Sequence, residues 1–221
     1  MPTMPDPRTM RAPTGFHPER SLRRADLDPD PFAQFLTWLG HAEDAGIALP
    51  NAMALATADA EGQPSVRHVL LRGVEEGAFV FYTNRLSRKG RELAANPRAG
   101  LVFLWKLLDR QVCVTGTVGL VSDAGSDEYF ASRPREARIG AWASEQSAVI
   151  ADRAALDARV AEMQERFAGG DVPRPPHWGG YRVIPTSIEF WQGHRHRLHD
   201  RFRYAPDAAA PAGWRIDRLA P

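Results

Sequence analysis

Residues 53–83 read MALATADAEGQPSVRHVLLRGVEEGAFVFYT. Three short apolar runs stand out: Met53 to Thr57, Val66 to Leu71 and Phe79 to Thr83. They are separated by Glu61-Gly62-Gln63-Pro64 and by Glu75-Glu76-Gly77, both turn-forming clusters. Short strands joined by tight turns predict an antiparallel barrel or sandwich. A doubly wound sheet is disfavoured, and no G-x-G-x-x-G follows a strand.

Upstream, Asp30-Pro31 makes a helix cap followed by a proline suited to the first turn. Phe32, Phe35, Leu36 and Leu39 follow at helical spacing, so residues 31–45 are expected to form an amphipathic helix. Residues 1–25 are rich in Pro and Arg without periodicity and are expected to be a mobile arm. Downstream, a short helix is expected over 87–95 and strands over 99–105 and 110–120. Residues 123–168 are expected to be helical in pieces. Strands at 181–191, 197–204 and 214–219 close the chain, with a Pro/Ala/Gly loop from Ala205 to Gly213. The expectation is one domain over 26–221, mainly β, with peripheral helices.

The chain has 221 residues, of which 43% are hydrophobic, ample for one core. Lys+Arg is 28 against 27 for Asp+Glu, a balance that argues against a bulk nucleic-acid or membrane binder. Lys89 and Lys106 are the only lysines, and Arg suits bidentate grips on phosphate and carboxylate. The single cysteine, Cys113, sits in the apolar run Val112-Cys113-Val114 and reads as a buried strand residue rather than a nucleophile. One cysteine fits a reducing compartment, and the first residues lack the apolar stretch of a signal peptide, so a soluble, cytoplasmic protein is expected.

Four segments carry chemistry. In Asn84-Arg85-Leu86-Ser87-Arg88-Lys89-Gly90, Ser87 is a candidate N-cap, which puts Arg88 and Lys89 in the first helical turn. Cations are unfavourable there unless an anion binds the free N–H groups, so the run reads as an anion grip or as a solvated basic turn. Arg67 shares a strand face with Val69 and Leu71 and needs a partner, either a phosphate near Arg88 and Lys89 or a carboxylate elsewhere. Tyr129 and Arg133 are four apart before Pro134, as a second oxyanion grip or an ordinary surface pair. On the strand expected at 197–204, Arg197, His199 and Arg201 would share one face and repel unless an anionic ligand lies across them. A metal site from His194, His196 and His199 is disfavoured, because alternation would point His199 away from the other two and no Cys or carboxylate completes a set.

Taken together, RHVLLR (67–72), VFYTN (80–84), SRKG (87–90), RQV (110–112), YFASRPRE (129–136), IGAWASEQS (139–147) and EFWQG…RLHDR (189–201) resemble the pyridoxine/pyridoxamine 5′-phosphate oxidase family. The similarity runs from about Leu27 to Pro221. It implies an antiparallel, Greek-key-like split β-barrel that binds flavin mononucleotide (FMN), and a homodimer with FMN at the subunit interface. Matching motif positions imply FMN contacts at Arg67, Val69, Leu70, Arg72, Tyr82, Thr83, Arg88, Lys89, Gln111, Gln146, Ser147, Trp191 and Arg201. Substrate contacts are implied at Arg72, Tyr129, Arg133, Ala137, Arg197 and His199, with Arg197 and His199 the catalytic pair and His199 a proton acceptor. No metal is implied.

The activity implied is oxidation of a small phosphorylated pyridine at C4′, with O₂ as final acceptor and hydrogen peroxide as product. An oxidase of a different substrate, such as a phenazine precursor, and a non-enzymatic FMN-binding module are the alternatives. Four positions depart from the family pattern: Arg72 stands where Lys is usual and Ala137 where Ser is usual. Thr14-Gly15-Phe16-His17 replaces an arm segment with Arg and Tyr, and Leu49 replaces an acidic residue. All four belong to the substrate side.

Overall fold

The computed structural model describes residues 21–221. Its helices are α1 (Pro31–Asp44), α2 (Arg88–Ala95), α3 (Asp123–Ala131), α4 (Arg135–Ala143) and α5 (Arg153–Arg166). Its strands are β1 (Ala52–Ala58), β2 (Pro64–Leu70), β3 (Gly73–Glu75), β4 (Ala78–Asn84), β5 (Arg98–Trp105), β6 (Arg110–Leu120), β7 (Trp178–Gln192), β8 (Asp200–Pro206) and β9 (Trp214–Leu219). They form one antiparallel sheet in the order β2-β1-β5-β6-β7-β4-β3, with β8 on β7 and β9 on β8. The sheet curls into the expected split barrel.

The 15-residue β7 organises the molecule. Along one edge it pairs with β6; along the other, Trp178 to Val183 pair with β4 and Ile188 to Gln192 pair with β8. Pro185 falls in the gap between those two partners, where its missing N–H breaks neither ladder. Opposite it the register shifts between Thr115 and Gly116. A Cβ on Gly116 would lie 2.2 Å from the Ile184 carbonyl oxygen, so only glycine allows the two backbones to approach this closely.

Helix α1 starts as its sequence indicates, with the Asp30 carboxylate accepting from the Phe32 N–H at 2.9 Å and Pro31 in the first turn. Its apolar stripe closes the open side of the sheet. The Phe35 ring lies 5.0 Å from Phe79 and 4.8 Å from Phe103, and Trp38 lies 5.1 Å from Phe190, all buried.

Three expectations change. The segment Glu75-Glu76-Gly77 is not wholly a turn: Gly73–Glu75 is a strand, and Glu76 and Gly77, both at positive φ, make a two-residue hairpin loop to β4. The strand expected from residue 197 begins at Asp200. Residues 195–197 form a single 3₁₀ turn, with His196 and Arg197 at φ of 59° and 62°, a conformation no strand contains. Residues 193–199 include no Val, Ile, Thr, Phe, Tyr or Trp to favour a pleat. Of the arm expected over 1–25, residues 1–20 lie outside the described residues. Leu22 is buried in the core, its N–H donating to Asp200 Oδ2 at 2.9 Å, so the packed body begins before residue 26.

Candidate active site

A cleft of about 860 Å³ opens between the outer face of β2, the end of β4, the N-terminus of α2 and the α3–α4 segment. Of the residues singled out from sequence, Arg67, Val69, Leu70, Arg72, Tyr82, Thr83, Arg88, Lys89, Tyr129, Arg133, Ala137, Gln146 and Ser147 line it together. The cleft has two cationic ends.

The first end is built on α2. Ser87 caps the helix, its Oγ accepting from the Gly90 N–H at 3.3 Å. A Cβ on Gly90 would lie 2.1 Å from the Arg85 carbonyl oxygen, so glycine lets the first turn close tightly on the preceding loop. Arg88 donates its backbone N–H to Ser147 Oγ at 3.1 Å, which ties the loop after α4 to the helix start. Lys89 is buried, and its Nζ donates to Gln146 Oε1 (2.8 Å), Thr83 Oγ1 (3.0 Å) and Ser87 Oγ (3.3 Å), three neutral oxygens. Burial, and then the nearby Arg67 charge, push its pKa down to about 8 against the opposing pull of Glu92.

Arg67 has a carboxylate partner after all, as one of its two open readings allowed. Its guanidinium lies 3.3 Å from Glu92 Oε2 and also donates to Ser65 Oγ, Thr57 Oγ1 and the Leu55 carbonyl. Glu92 accepts further from Ser65 Oγ (2.6 Å), Thr57 Oγ1 and Arg88 Nε (2.8 Å). Burial raises its pKa, but the bonds from Ser65, Thr57 and Arg88 and the Arg67 charge outweigh it and hold the carboxyl at about 2.

The second end is an aromatic column between two arginines. Arg72 lies 4.6 Å from the Tyr129 ring centroid, Tyr129 4.1 Å from Tyr82, Tyr82 5.4 Å from Trp178, and Arg133 4.8 Å from Trp178. Helix α3 ends at Ala131, earlier than its sequence indicates, so Arg133 reaches the column from the turn beyond the helix. Its Nη1 is buried with no hydrogen-bond partner among the described residues. Arg133 lines the cleft, and a guanidinium there with an unpaired nitrogen suits an anionic oxygen.

Gln111, Trp191, Arg201, Arg197 and His199 lie elsewhere. Gln111, Trp191 and Arg201 stand side by side on β6, β7 and β8. Trp191 stacks on His199 at 4.5 Å. The expected basic face of Arg197, His199 and Arg201 is not formed. Arg201 is on the strand and held bidentately by Glu189 at 2.8 and 3.0 Å, whereas Arg197 is exposed on the 3₁₀ turn. The His194 backbone N–H donates to His199 Nδ1 at 3.1 Å, so the neutral ring carries its proton on Nε2. Within the chain this group is remote from the cleft. Trp178 and Trp191 mark opposite ends of β7, a path of roughly 45 Å at about 3.3 Å per residue. Glu92, Ser65, Thr57 and Trp178 join the site without having been singled out; the Arg88–Glu92 spacing of four was the available signal for Glu92.

Residues 39–167 match the family model described as pyridoxamine 5′-phosphate oxidase, and residues 178–221 match that of the pyridoxine 5′-phosphate oxidase C-terminal dimerisation region. The chain belongs to the pyridoxamine 5′-phosphate oxidase family. It is an oxidoreductase of that family. The pyridoxine/pyridoxamine 5′-phosphate oxidases of Burkholderia mallei and Burkholderia pseudomallei are each 59% identical to it over 201 residues, 91% of this chain and 94% of theirs. PhzG from Burkholderia lata 383, solved in complex with tetrahydrophenazine-1-carboxylic acid, is 32% identical with a TM-score of 0.82, covering 89% of this chain and 95% of that one. An FMN-binding protein of Nostoc punctiforme shares the fold at 16% identity and a TM-score of 0.68, covering 87% and 98%. Among the described residues no helix is long and apolar enough to cross a membrane.

Proposed function

We propose that this member of the family is a homodimeric, FMN-dependent oxidase of pyridoxamine 5′-phosphate and pyridoxine 5′-phosphate, giving pyridoxal 5′-phosphate. The observation that carries the reading is one cleft with two separate cationic ends, one for each of two phosphate groups. At the α2 end, Lys89 is satisfied by neutral oxygens alone, so its charge and that of Arg88 suit a bound dianion. At the other end, the orphaned Arg133 Nη1 suits a second. The residues present therefore fit FMN.

In this reading Arg67, Arg88, Lys89 and Ser147 hold the FMN phosphate, and Val69, Leu70, Tyr82, Thr83 and Gln146 line the cleft beside it. When bound, FMN supplies the two-electron acceptor that O₂ regenerates with release of hydrogen peroxide. Tyr129 and Arg133 bind the substrate phosphate, with Arg72 stacked against Tyr129. A second copy of the chain closes the open side, its Gln111, Trp191 and Arg201 completing the cofactor site and its Arg197 and His199 orienting the pyridine ring. Two halves of one site at opposite ends of β7 support this assembly, as does the match of 178–221 to a dimerisation region. In this reading His199 acts through Nε2–H as a hydrogen-bond donor, with the proton-acceptor role expected from sequence as the alternative.

Oxidation of a phenazine precursor is the second reading, favoured by the similarity to PhzG. The test is peroxide release by the purified yellow protein. Pyridoxamine 5′-phosphate and pyridoxine 5′-phosphate are expected to be turned over far faster than their unphosphorylated forms or a dihydrophenazine carboxylic acid. Equal turnover with and without the substrate phosphate would overturn the proposal.

A further inference from the structure

Glu92 is a buried carboxylate bonded to Arg67, Arg88 and Ser65 of the cleft wall, and it makes no direct contact in the reaction just described. Four side chains converge on it: Thr57 from β1, Ser65 and Arg67 from β2, and Arg88 from its own helix. Arg67 and Arg88 are two of the three cations assigned above to the FMN phosphate. The third, Lys89, lies in the same turn as Arg88.

We propose that Glu92 is the positioning residue of this phosphate grip: it anchors Arg67 and Arg88 side by side and offsets one of three positive charges, leaving the two that match a phosphate monoester dianion. The inference rests on the FMN reading. Its physical basis is twofold. Long cationic side chains without a bound anion repel one another and swing into water, and an internal carboxylate holds them in place beforehand, lowering the ordering cost of binding. A phosphate monoester carries about −1.5 to −2 at neutral pH, so three uncompensated cations would exceed its charge.

The charged groups that face one another here are Arg67 from β2 and Arg88, Lys89 and Glu92 from α2. Thr57 of β1, Thr83 of β4 and Gln146 from the segment after α4 are uncharged. Glu92 opposes the depression of the Lys89 pKa, which lies at about 8. Without Glu92, Lys89 would lose its proton at a lower pH, and the grip would lose a charge within the neutral range.

The experiment titrates apoprotein with FMN and with riboflavin, which lacks the phosphate, by flavin fluorescence from pH 6 to 9. Wild type is expected to bind FMN more tightly than riboflavin, with the preference declining as pH rises past about 8. Glu92→Gln is expected to weaken FMN binding about tenfold or more and to leave riboflavin binding unchanged. Its FMN preference should also start to decline at lower pH. Wild-type FMN affinity and pH profile in Glu92→Gln, or equal losses for both flavins, would overturn the inference. Should Glu92→Gln not fold, Ser65→Ala removes one of the same bonds and keeps the charge. It is expected to show a smaller loss confined to FMN, and an equal loss for both flavins would overturn the proposal there too. Failure of the FMN reading is visible separately: wild type would bind neither flavin, or both alike, and the inference would fall with it.

Discussion

The backbone N–H of His194 points at Nδ1 of His199, 3.1 Å away. That bond makes Nδ1 the acceptor and places the proton of the neutral ring on Nε2. A donor role and a proton-acceptor role predict different variants. Gln at 199 keeps an N–H near the Nε2 position and should retain about tenfold or more of the kcat/KM that Ala loses, with FMN bound in both. Equal loss in Gln and Ala would mean that the imidazole accepts a proton.

The turn carrying His199 is held from below by Asp109. Gly193 donates its N–H to the Asp109 carbonyl at 2.7 Å, and a Cβ on Gly193 would fall 1.7 Å from Asp109 Oδ2. Asp109 is itself buried at a left-handed φ of 49°, so it has little freedom to retreat. Gly193→Ala should cost about 1–3 kcal/mol of stability by overpacking and lower kcat/KM well beyond its effect on FMN content. Urea denaturation and steady-state kinetics would measure both. An Ala variant with unchanged kinetics would show that the turn does not need this contact.

Glu92 also links stability to acid. Its folded pKa, about 2, lies below the ordinary 4.5. The sign follows: its stabilisation is fully present above about pH 4.5 and fades as pH falls towards 2. Wild type should exceed Glu92→Gln by about 1–2 kcal/mol at neutral pH, allowing for screening by water in the open cleft. The gap should narrow through that acid window. Urea midpoints at several pH values are the measurement, and a gap independent of pH would contradict the linkage.

Ala137 lines the cleft from the first turns of α4, close in sequence to Arg133. A hydroxyl there adds a donor where the substrate phosphate is proposed to sit. Ala137→Ser should lower KM for pyridoxamine 5′-phosphate several-fold, up to about tenfold, because a bond to a charged acceptor is worth about 1.5–3 kcal/mol before competition from water. Remote from C4′, it should leave kcat nearly unchanged. A KM that stays level or rises would place the substrate phosphate elsewhere.

Much of the fold was legible because local periodicity and capping agree with the tertiary structure. Asp30 and Ser87 cap the helices they were expected to cap; the runs around Leu55 and Arg67 form adjoining strands, and the run around Phe81 forms another strand of the same sheet. Residues 193–199 misled because a basic run bounded by strand-like sequence carries a strand register only on paper. Backbone bonds from Gly193 to Asp109 and from Leu198 to Arg195 turn the chain instead.

The amino-acid sequence by itself determined most of the strands, their turns and the helix starts, since each depends on neighbours a few positions away. Only the tertiary structure decided which charges meet. Arg67 finds Glu92 and Arg201 finds Glu189, pairs set by the docking of α2 beside β2 and by the register of β7 on β8. The length of β7 likewise decided that the cleft and the His199 turn stand at opposite ends of one subunit, because strand pairing extends the chain by about 3.3 Å per residue however close its motifs lie in sequence.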